Sequence, residues 1–260
     1  MITSSHNPRI QRLRSLLAKR SEREEQKAFV VEGVRLAEEA LQAKWLPQSV
    51  LFTSELSERG KDLVKHFAAQ NVEVEEVPPS LMESVSDTET SQGLLAILPL
   101  RSLEPPATLD FIVIADAIRD PGNLGTMIRS AAAAGAQAMF LAPDTADPFA
   151  PKVVRSAMGA HFRLPLIAMD WEQIVRQCKA KKPPVQLLLS EASKGTPCWQ
   201  LDLRRPLALI IGGEAEGASP KAIEAADQFI TIPMPGKSES LNAAIAASIL
   251  LFEVVRQRNL

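Results

Sequence analysis

Apolar residues along this chain recur in two patterns, short continuous runs and longer stretches with helical spacing. The continuous runs, such as residues 111–115 (FIVIA) and 207–211 (LALII), are typical of strands that are buried on both faces of a parallel sheet. Helical spacing marks the stretches between them, for example residues 171–179. Strands that alternate with helices in this way predict an α/β fold.

The pattern predicts two α/β domains, at residues 1–100 and 108–260, joined by a polar connector rich in proline. Strands are predicted at residues 28–31, 49–52, 72–77, 94–98, 111–115, 138–142, 164–168, 185–190, 207–211 and 229–232. Helices are predicted at residues 34–43, 61–70, 126–134, 171–179 and 241–256, after a first helix that begins at Asn7-Pro8.

Composition narrows the class of protein without defining it. The chain has 260 residues, a formal net charge of −2, two cysteines and three scattered histidines. Such a chain can bury a core, and it offers neither a disulfide framework nor the ligand spacing of a metal site. No apolar run is long enough to span a bilayer, and the first residues do not resemble a signal peptide. We therefore expect no membrane, no metal and a reducing, cytoplasmic setting.

The first helix has one apolar and one cationic face. Arginines at positions 9 and 12 belong to a run of five basic residues that precedes the first acidic residue, Glu22. Two interpretations of this face stay open. It is either an arm that contacts nucleic-acid phosphates or the solvated side of an ordinary amphipathic helix.

Three loops in the second domain follow predicted strands, at residues 120–125, 212–217 and 233–242. The carboxyl ends of parallel strands meet at one edge of a sheet, and ligands bind there. Adjacent glycines at 212 and 213 let the backbone approach a ligand closely, whereas Glu214 and Glu216 would repel a pyrophosphate. These loops therefore predict a ligand without phosphate.

The sequence lacks both common phosphate-binding fingerprints, G-x-G-x-x-G after the first strand of this domain and G-x-x-x-x-G-K-[ST] anywhere. Apolar walls are available from Ile232, Met234 and Leu241. S-adenosylmethionine is a ligand of this kind, an adenosine joined to a zwitterion and a sulfonium.

The last predicted helix, residues 241–256, is apolar almost all round. A helix of that kind is buried or lies at a subunit interface. Pro233 and Pro235 prevent an earlier start, and Ser238 or Ser240 is expected to cap the helix.

Three short motifs resemble, in their order along the chain, those of the SpoU (TrmH-like) family of RNA 2′-O-ribose methyltransferases. They are Asn123-x-Gly125-x-x-x-Arg129, Gly213-Glu214-x-x-Gly217, and Ile232-Pro233-Met234 followed by Ser240-Leu241-Asn242. The first domain is similar to the substrate-binding domain that the family often carries, through Asn7-Pro8, residues 29–35 and Ser91-Gln92-Gly93.

The resemblance implies a fold and a set of partners. The second domain would have the deep trefoil knot of the SPOUT class, and the first would resemble the L30/L7Ae fold and bind RNA. S-adenosylmethionine would be the cofactor, and the enzyme would be a homodimer formed through the second domain. The residues implied to hold the cofactor are Ser190, Gly212, Gly213, Ile232, Met234 and Leu241.

The same resemblance implies catalytic and RNA-binding residues. Arg129 corresponds to the catalytic arginine; since a guanidinium stays protonated, we expect it to stabilise the developing alkoxide rather than act as a base. Asn123, Glu214 and Asn242 would orient the arginine, the ribose or the loops. The RNA-binding candidates are Arg9, Arg12, Arg35 and Arg119.

Three alternatives stay open. The RNA could be transfer RNA, although a full first domain favours ribosomal RNA. The chain could be a non-catalytic RNA-binding factor of the same fold. A nucleotide-dependent oxidoreductase is disfavoured by the missing glycine fingerprint and by the two glutamates after Gly213.

Overall fold

Both sheets of the protein carry helices, which confirms the predicted α/β class. The structure is a computed structural model, and it describes residues 2–86, 88, 91–213, 217–236 and 239–259. Within these residues the helices are α1 (Pro8–Ala18), α2 (Arg20–Gln26), α3 (Val34–Gln42), α4 (Glu58–Ala69), α5 (Pro79–Glu83), α6 (Pro121–Ala133), α7 (Pro151–Ala157), α8 (Trp171–Lys179), α9 (Pro220–Ala225) and α10 (Ala243–Arg258). The strands are β1 (Ala28–Glu32), β2 (Ser49–Phe52), β3 (Glu73–Glu76), β4 (Leu94–Pro99), β5 (Phe111–Asp116), β6 (Ala138–Leu141), β7 (Leu166–Ala168), β8 (Gln186–Ser190), β9 (Thr196–Pro197), β10 (Leu207–Gly212) and β11 (Gln228–Thr231).

The chain divides into two compact units. The first unit is Met1–Arg101 together with Phe149–Phe162, and the second is Ser102–Pro148 together with Arg163–Leu260. The segment that contains α7 thus belongs to the first unit although it lies far along the chain. The functional division predicted from the sequence, an RNA-binding domain at 1–100 and a catalytic domain at 108–260, remains a prediction.

The first unit is built on a four-stranded sheet in the order β1-β4-β2-β3. β4 runs antiparallel to β1 and β2, and β2 runs parallel to β3. The carboxyl ends of β1 and β2 therefore lie at the same edge of the sheet. The apolar stripe of α1 covers one face, with Ile10, Leu13 and Leu16 fully buried against the core.

Aromatic packing attaches residues 149–162 to the first unit. The ring of Phe149 lies 5.0 Å from that of Phe29, and the ring of Phe162 lies 5.2 Å from that of Trp45, centroid to centroid. His161 joins the same group, 5.4 Å from Phe149. Large aromatic surfaces contribute much to packing, so these contacts account for where the segment lies.

The second unit is built on a seven-stranded sheet in the order β7-β6-β5-β10-β8-β11-β9. Every neighbouring pair is parallel, which confirms the predicted parallel sheet. The core on one side contains fully buried residues of β5, β8 and β10, such as Ile112, Leu187 and Ile210. The trefoil knot remains a prediction from the family resemblance.

The helix after β5 begins earlier than predicted. The sequence placed residues 120–125 in a loop and the helix at 126–134, but α6 begins at Pro121. Asp120 caps it, since its Oδ1 accepts a hydrogen bond from the Asn123 backbone N–H at 2.8 Å. Proline is tolerated at the first helical position because the N–H that it lacks would have no helical partner there. Asn123 is therefore in the first turn of the helix.

The cap of α10 was also predicted at the wrong residue. Neither serine is the cap: Asn242 is, and its Oδ1 accepts from the N–H groups of Ala244 at 2.9 Å and Ile245 at 3.2 Å. Ser238 lies outside the described residues. An asparagine cap satisfies two of the first helical N–H groups, and this holds Asn242 in a fixed orientation.

The structure also shows where the two cysteines lie. Cys178 and Cys198 are buried, and burial raises the pKa of the Cys178 thiol to about 11. Among the described residues no cluster of three or more histidine, cysteine or acidic side chains is arranged to hold a metal ion. In the same part of the chain, no helix has the length and apolar character that a membrane crossing requires.

Candidate cofactor and catalytic site

A cavity of about 410 Å³ lies in the second unit, where the parallel strands β8, β10 and β11 end. We call it the C-terminal cavity. Its volume is within the usual range for small-molecule sites. All six residues that the family resemblance assigned to the cofactor line it, namely Ser190, Gly212, Gly213, Ile232, Met234 and Leu241. The loops after β8, β10 and β11 thus meet at one cavity, whereas residues 120–125, the first of the three predicted loops, are not among its described lining residues.

Two glycines allow the loop after β10 to fold tightly along the cavity wall. A Cβ atom on Gly212 would lie 2.7 Å from the backbone nitrogen of Ala218. A Cβ atom on Gly213 would lie 2.6 Å from the carbonyl oxygen of Ala117. Backbone atoms are hard to displace, so only glycine fits at either position. The loop also closes on itself, because Gly213 and Gly217 form an isolated antiparallel bridge.

The charge of the lining suits a cationic or zwitterionic ligand better than a phosphate. Glu191 contributes a carboxylate, and none of the described lining residues is a lysine, arginine or histidine. Ile211, Ile232 and Leu241 supply apolar surface. An adenosine joined to a sulfonium and an amino-acid group matches this combination, since the sulfonium is positive and no phosphate must be neutralised. The residues present therefore fit S-adenosylmethionine.

A buried carboxylate anchors the loop after β10. Asp116, at the end of β5, is 1 % exposed. Its Oδ2 accepts from the Ser219 N–H at 2.7 Å, and its Oδ1 accepts from the Ser219 hydroxyl at 2.9 Å and from Trp171 Nε1 at 3.3 Å. Ser219 also caps α9. Asp116 thus connects the end of β5 to the loop that follows β10, its neighbour in the sheet.

Replacing Asp116 with asparagine is expected to lower the free energy of unfolding by about 1–3 kcal/mol. The new amide NH₂ would face an N–H group of either Ser219 or Trp171, so one buried donor would lose its acceptor. Urea unfolding, followed by circular dichroism, measures the change. Asp144→Asn is the matched control, because Asp144 is exposed at φ 63°, a conformation that asparagine also tolerates. Equal midpoints for the two variants would contradict the anchoring role.

Two of the predicted catalytic residues contact each other. The Nδ2 of Asn242 donates to the Oδ1 of Asn123 at 2.9 Å. Ser130 lies seven residues after Asn123 on α6, and its hydroxyl is 2.8 Å from the hydroxyl of Ser248 on α10. Residues seven apart lie on the same face of a helix, so both contacts join one face of α6 to α10, side by side next to the cavity. Asn242 lines the C-terminal cavity as well as capping α10.

The other two predicted catalytic residues are placed differently. Glu214 lies outside the described residues. Arg129 is exposed on α6 and does not line the C-terminal cavity. Its side chain makes no hydrogen bond or ion pair with any residue that the structure describes. It lies six positions after Asn123, a distance of about 9 Å along the helix axis. A guanidinium in this position is available to a substrate or to a second protein chain.

The RNA-binding candidates differ in how far their side chains are already engaged. Arg9 forms ion pairs with Glu73 and Glu75, and its Nη1 lies 2.7 Å from a carboxylate oxygen of Glu75. The hydrogen bond from Arg9 lowers the pKa of Glu75. Arg12 donates to Gln26 and Gln48. Arg119 is exposed in the second unit at the loop after β5. Arg35 is exposed at the start of α3 and contacts no described residue through a hydrogen bond or ion pair.

Sequence reasoning missed Asp116 and Ser219. A signal was available, since an aspartate at the carboxyl end of a fully apolar strand is unusual unless its charge is paired or hydrogen-bonded. The partner could not have been named, because Ser219 is 103 residues away in the chain.

A parallel sheet with a cavity at its carboxyl edge defines the class of α/β proteins that bind a small molecule between strand-end loops. Residues 110–252 match the model of the SpoU rRNA Methylase family, and residues 7–96 match the MRM3-like substrate binding domain. The chain therefore belongs to the SpoU rRNA methylase family, which confirms the resemblance seen in the three motifs.

Similar proteins match along almost the full length of the chain. The 23S rRNA (guanosine(2553)-2′-O)-methyltransferase RlmP of Bacillus subtilis is 33% identical, over 97% of this chain and 98% of its own. The solved structure of the SpoU methyltransferase AviRb from Streptomyces viridochromogenes with AdoMet has a TM-score of 0.86 and 31% identity, and the match covers 97% of this chain and 99% of that one. The AdoMet-bound rRNA methyltransferase from Sinorhizobium meliloti has a TM-score of 0.85 and 29% identity, and the match covers 98% of this chain and 97% of that one.

Proposed function

We propose that this protein transfers a methyl group from S-adenosylmethionine to a ribose 2′-hydroxyl of ribosomal RNA. One observation carries the proposal: in a member of the SpoU family, the six residues expected to hold the cofactor line a single cavity. Relatives that are similar over nearly the whole chain are named for 2′-O-methylation of 23S rRNA. The enzyme works in the cytoplasm, where its RNA substrate is found.

The chain's own residues bind the cofactor, hold two helices in place beside it and stabilise charge on the ribose. The bound cofactor supplies an electrophilic methyl group on a sulfonium. The C-terminal cavity binds it through the backbone of Gly212 and Gly213 and through the apolar side chains of Ile232 and Leu241. The hydrogen-bonded pair of Asn123 and Asn242 holds α6 against the start of α10. This fixes the cavity wall next to the helix that carries Arg129.

Arg129 stabilises negative charge on the ribose oxygen as the proton passes to a phosphate oxygen of the RNA substrate. A guanidinium stays protonated at any physiological pH, so it acts as a hydrogen-bond donor and a positive charge rather than as the base. Charge-assisted hydrogen bonds to a developing alkoxide are among the largest contributions to catalysis. The exposed side chain of Arg129 is free to donate them, because no described residue competes for it.

The enzyme is a homodimer formed through α10. Three large apolar side chains, Ile245, Ile249 and Phe252, are 53%, 39% and 51% exposed and follow one another at intervals of four and three residues. We call them the α10 stripe. Neighbouring side chains on one face of a helix form a continuous apolar patch, which is typical of an interface. A second copy of the chain would cover the stripe by two-fold symmetry.

Dimerisation would also explain the position of Arg129. The residue lies about 9 Å along α6 from Asn123, away from the cavity of its own protomer, and α6 packs beside α10. An interface that covers α10 therefore places Arg129 close to the partner chain. In this arrangement the arginine of one protomer serves the cavity of the other.

Replacing Ile249 with aspartate is expected to convert the dimer into a monomer. The symmetric interface would bury two new carboxylates, which is strongly unfavourable. Analytical ultracentrifugation measures the change in mass. Ile223→Asp is the matched control, since Ile223 is 43% exposed on α9 and does not belong to the α10 stripe. A monomeric wild-type protein would contradict the proposed dimer.

Two measurements test the proposed reaction. Titration calorimetry with S-adenosylmethionine is expected to show one site per protomer, with no binding of NAD. Mapping of ribose methylation in total RNA, from cells with and without the gene, is expected to show one site lost from ribosomal RNA. Absence of S-adenosylmethionine binding would favour a non-catalytic RNA-binding factor, and a site lost from transfer RNA would overturn the assignment of the substrate.

A further inference from the structure

Glu191 is the one charged residue among the described residues that line the C-terminal cavity, and neither the predicted site residues nor the proposed mechanism includes it. It follows β8 directly and is half-buried. The other lining residues offer apolar side chains, backbone groups, two serine hydroxyls and one amide. An ionised carboxylate only accepts hydrogen bonds, so a single carboxylate in this lining selects for donors on the ligand.

No protein group satisfies this carboxylate within the part of the chain that the structure describes. The side chain of Glu191 makes no hydrogen bond or ion pair with any described residue. The lysine of the same loop, Lys194, is engaged elsewhere, since its Nζ lies 4.4 Å from the centre of the Phe229 ring. A ligand that fills the cavity takes water away from the carboxylate, and binding is penalised unless the ligand returns hydrogen bonds. The missing donors are therefore to be sought on the ligand.

The backbone that carries Glu191 is fixed against the neighbouring strand. The N–H of Glu191 donates to the carbonyl oxygen of Ile230 on β11 at 3.0 Å. One residue later, the carbonyl oxygen of Ala192 accepts from the Thr231 hydroxyl at 3.3 Å. Both contacts join the end of β8 to β11, its parallel neighbour in the sheet. The carboxylate is thus attached to a preorganised part of the cavity wall, which lowers the entropic cost of a contact with a ligand.

S-adenosylmethionine has three groups that can donate hydrogen bonds, namely the α-ammonium, the adenine amino group and the ribose diol. Its sulfonium is positive but has no N–H or O–H, so it attracts a carboxylate without satisfying it. The α-ammonium shares a carbon with the ligand's own carboxylate, which Glu191 would repel, and no described lining residue is a cation that could offset this. The adenine amino group adjoins a ring nitrogen that only accepts, so its donor lies beside a repulsive lone pair.

The ribose diol presents two adjacent donors and no negative neighbour. Its 2′- and 3′-hydroxyls match the two oxygens of a carboxylate. We propose that Glu191 binds the ribose of S-adenosylmethionine, with its two carboxylate oxygens accepting from the 2′- and 3′-hydroxyls. The inference rests on the proposed function, since it takes S-adenosylmethionine as the ligand of the C-terminal cavity. This ribose does not change during methyl transfer, so the contact raises affinity rather than the rate of the bound complex.

Glu191→Gln in the full-length protein tests this assignment by titration calorimetry. The first ligand is S-adenosylmethionine, and the second is 5′-methylthioadenosine, which keeps the adenosine and lacks the amino-acid group. The variant is expected to bind both ligands about tenfold more weakly, because both carry the diol and an amide accepts weaker hydrogen bonds than a carboxylate does. The third ligand, 2′-deoxy-5′-methylthioadenosine, lacks one of the two hydroxyls, and for it the two proteins are expected to differ by less than about threefold.

Glu224→Gln is the matched control, because Glu224 is an exposed glutamate of α9 that does not line the cavity. It is expected to bind all three ligands as the wild type does. Weaker binding of S-adenosylmethionine alone in Glu191→Gln would assign the carboxylate to the α-ammonium and overturn the proposal. Unchanged affinity for the first two ligands would also overturn it, and so would failure of the wild type to bind 5′-methylthioadenosine. Urea unfolding is expected to show equal midpoints, since Glu191 has no hydrogen bond or ion pair with a described residue to lose.

Steady-state methylation kinetics give a second readout, which a merely structural role of Glu191 would not produce. The KM for S-adenosylmethionine is expected to rise about tenfold in Glu191→Gln with kcat unchanged, because the ground state and the transition state lose the same contact. A fall in kcat at saturating cofactor would contradict the assignment. A wild-type protein that does not bind S-adenosylmethionine would refute the proposed function itself, whereas normal binding by the wild type with no change in the variant would refute this inference alone.

Discussion

Replacing Arg129 with alanine is expected to lower the methylation rate constant kcat by about 10²–10³-fold. The loss would be one of transition-state stabilisation, because the guanidinium is assigned to the alkoxide that forms as the proton leaves. The residue is exposed and makes no hydrogen bond or ion pair with any described residue, so stability is expected to change by less than about 0.5 kcal/mol. Transfer of a labelled methyl group to RNA, with calorimetry for cofactor affinity, measures both effects.

Arg176→Ala is the matched control for this variant. Arg176 is another exposed arginine of the second unit, on α8, and it does not line the C-terminal cavity. Its removal is expected to leave kcat unchanged. A near wild-type rate in Arg129→Ala would show that another group stabilises the alkoxide. Loss of cofactor binding in that variant would instead show that the arginine acts in the cavity.

Mixed dimers test which protomer uses the arginine. If Arg129 serves the partner's cavity, a dimer of one Arg129→Ala chain and one Gly213→Ala chain keeps one complete site. Such a dimer, co-expressed with two different affinity tags and assayed at an S-adenosylmethionine concentration near the wild-type Kd, is expected to show about half the wild-type rate. If each arginine served its own cavity, both sites would be defective at this cofactor concentration and the mixed dimer would be nearly inactive.

Replacing Gly213 with alanine is expected to weaken S-adenosylmethionine binding by about 10- to 100-fold. The added Cβ would lie 2.6 Å from the carbonyl oxygen of Ala117, a backbone atom in the loop after β5. Ala117 already has φ 53°, so this segment has little freedom to move away. The loop that lines the C-terminal cavity must then shift, and the wall that holds the cofactor shifts with it. Calorimetry measures the affinity.

Gly236→Ala is the control, because it lies in the loop after β11 that also borders the cavity. A Cβ there would meet no atom of the described residues within 4 Å, and its φ is not in the left-handed region. We expect unchanged cofactor affinity. If both variants bound alike, the tight fit of the loop after β10 would not matter for the cofactor. Thermal unfolding of both proteins shows whether Gly213→Ala remains folded.

Much of the site was predictable because strands leave a strong local signal. The apolar runs at 111–115, 207–211 and 229–232 marked three strands, and the residues after each strand could be assigned to one sheet edge. Helix starts were less reliable. Asp120 and Asn242 both cap helices that were expected to begin elsewhere, because several nearby residues can serve as caps and only the chain's path selects one.

By itself the sequence determined the α/β class, the alternation of strands with helices, and two of the loops that line the C-terminal cavity, those after β10 and β11. These features depend on neighbouring residues, whose spacing decides which face of a strand or helix is apolar. Only the tertiary structure decided that Asp116 anchors Ser219, that Asn123 contacts Asn242, and that Arg9 is engaged while Arg35 is free. The reason is that these contacts join residues that are distant in the chain, and a side chain's availability depends on which partners the fold brings next to it.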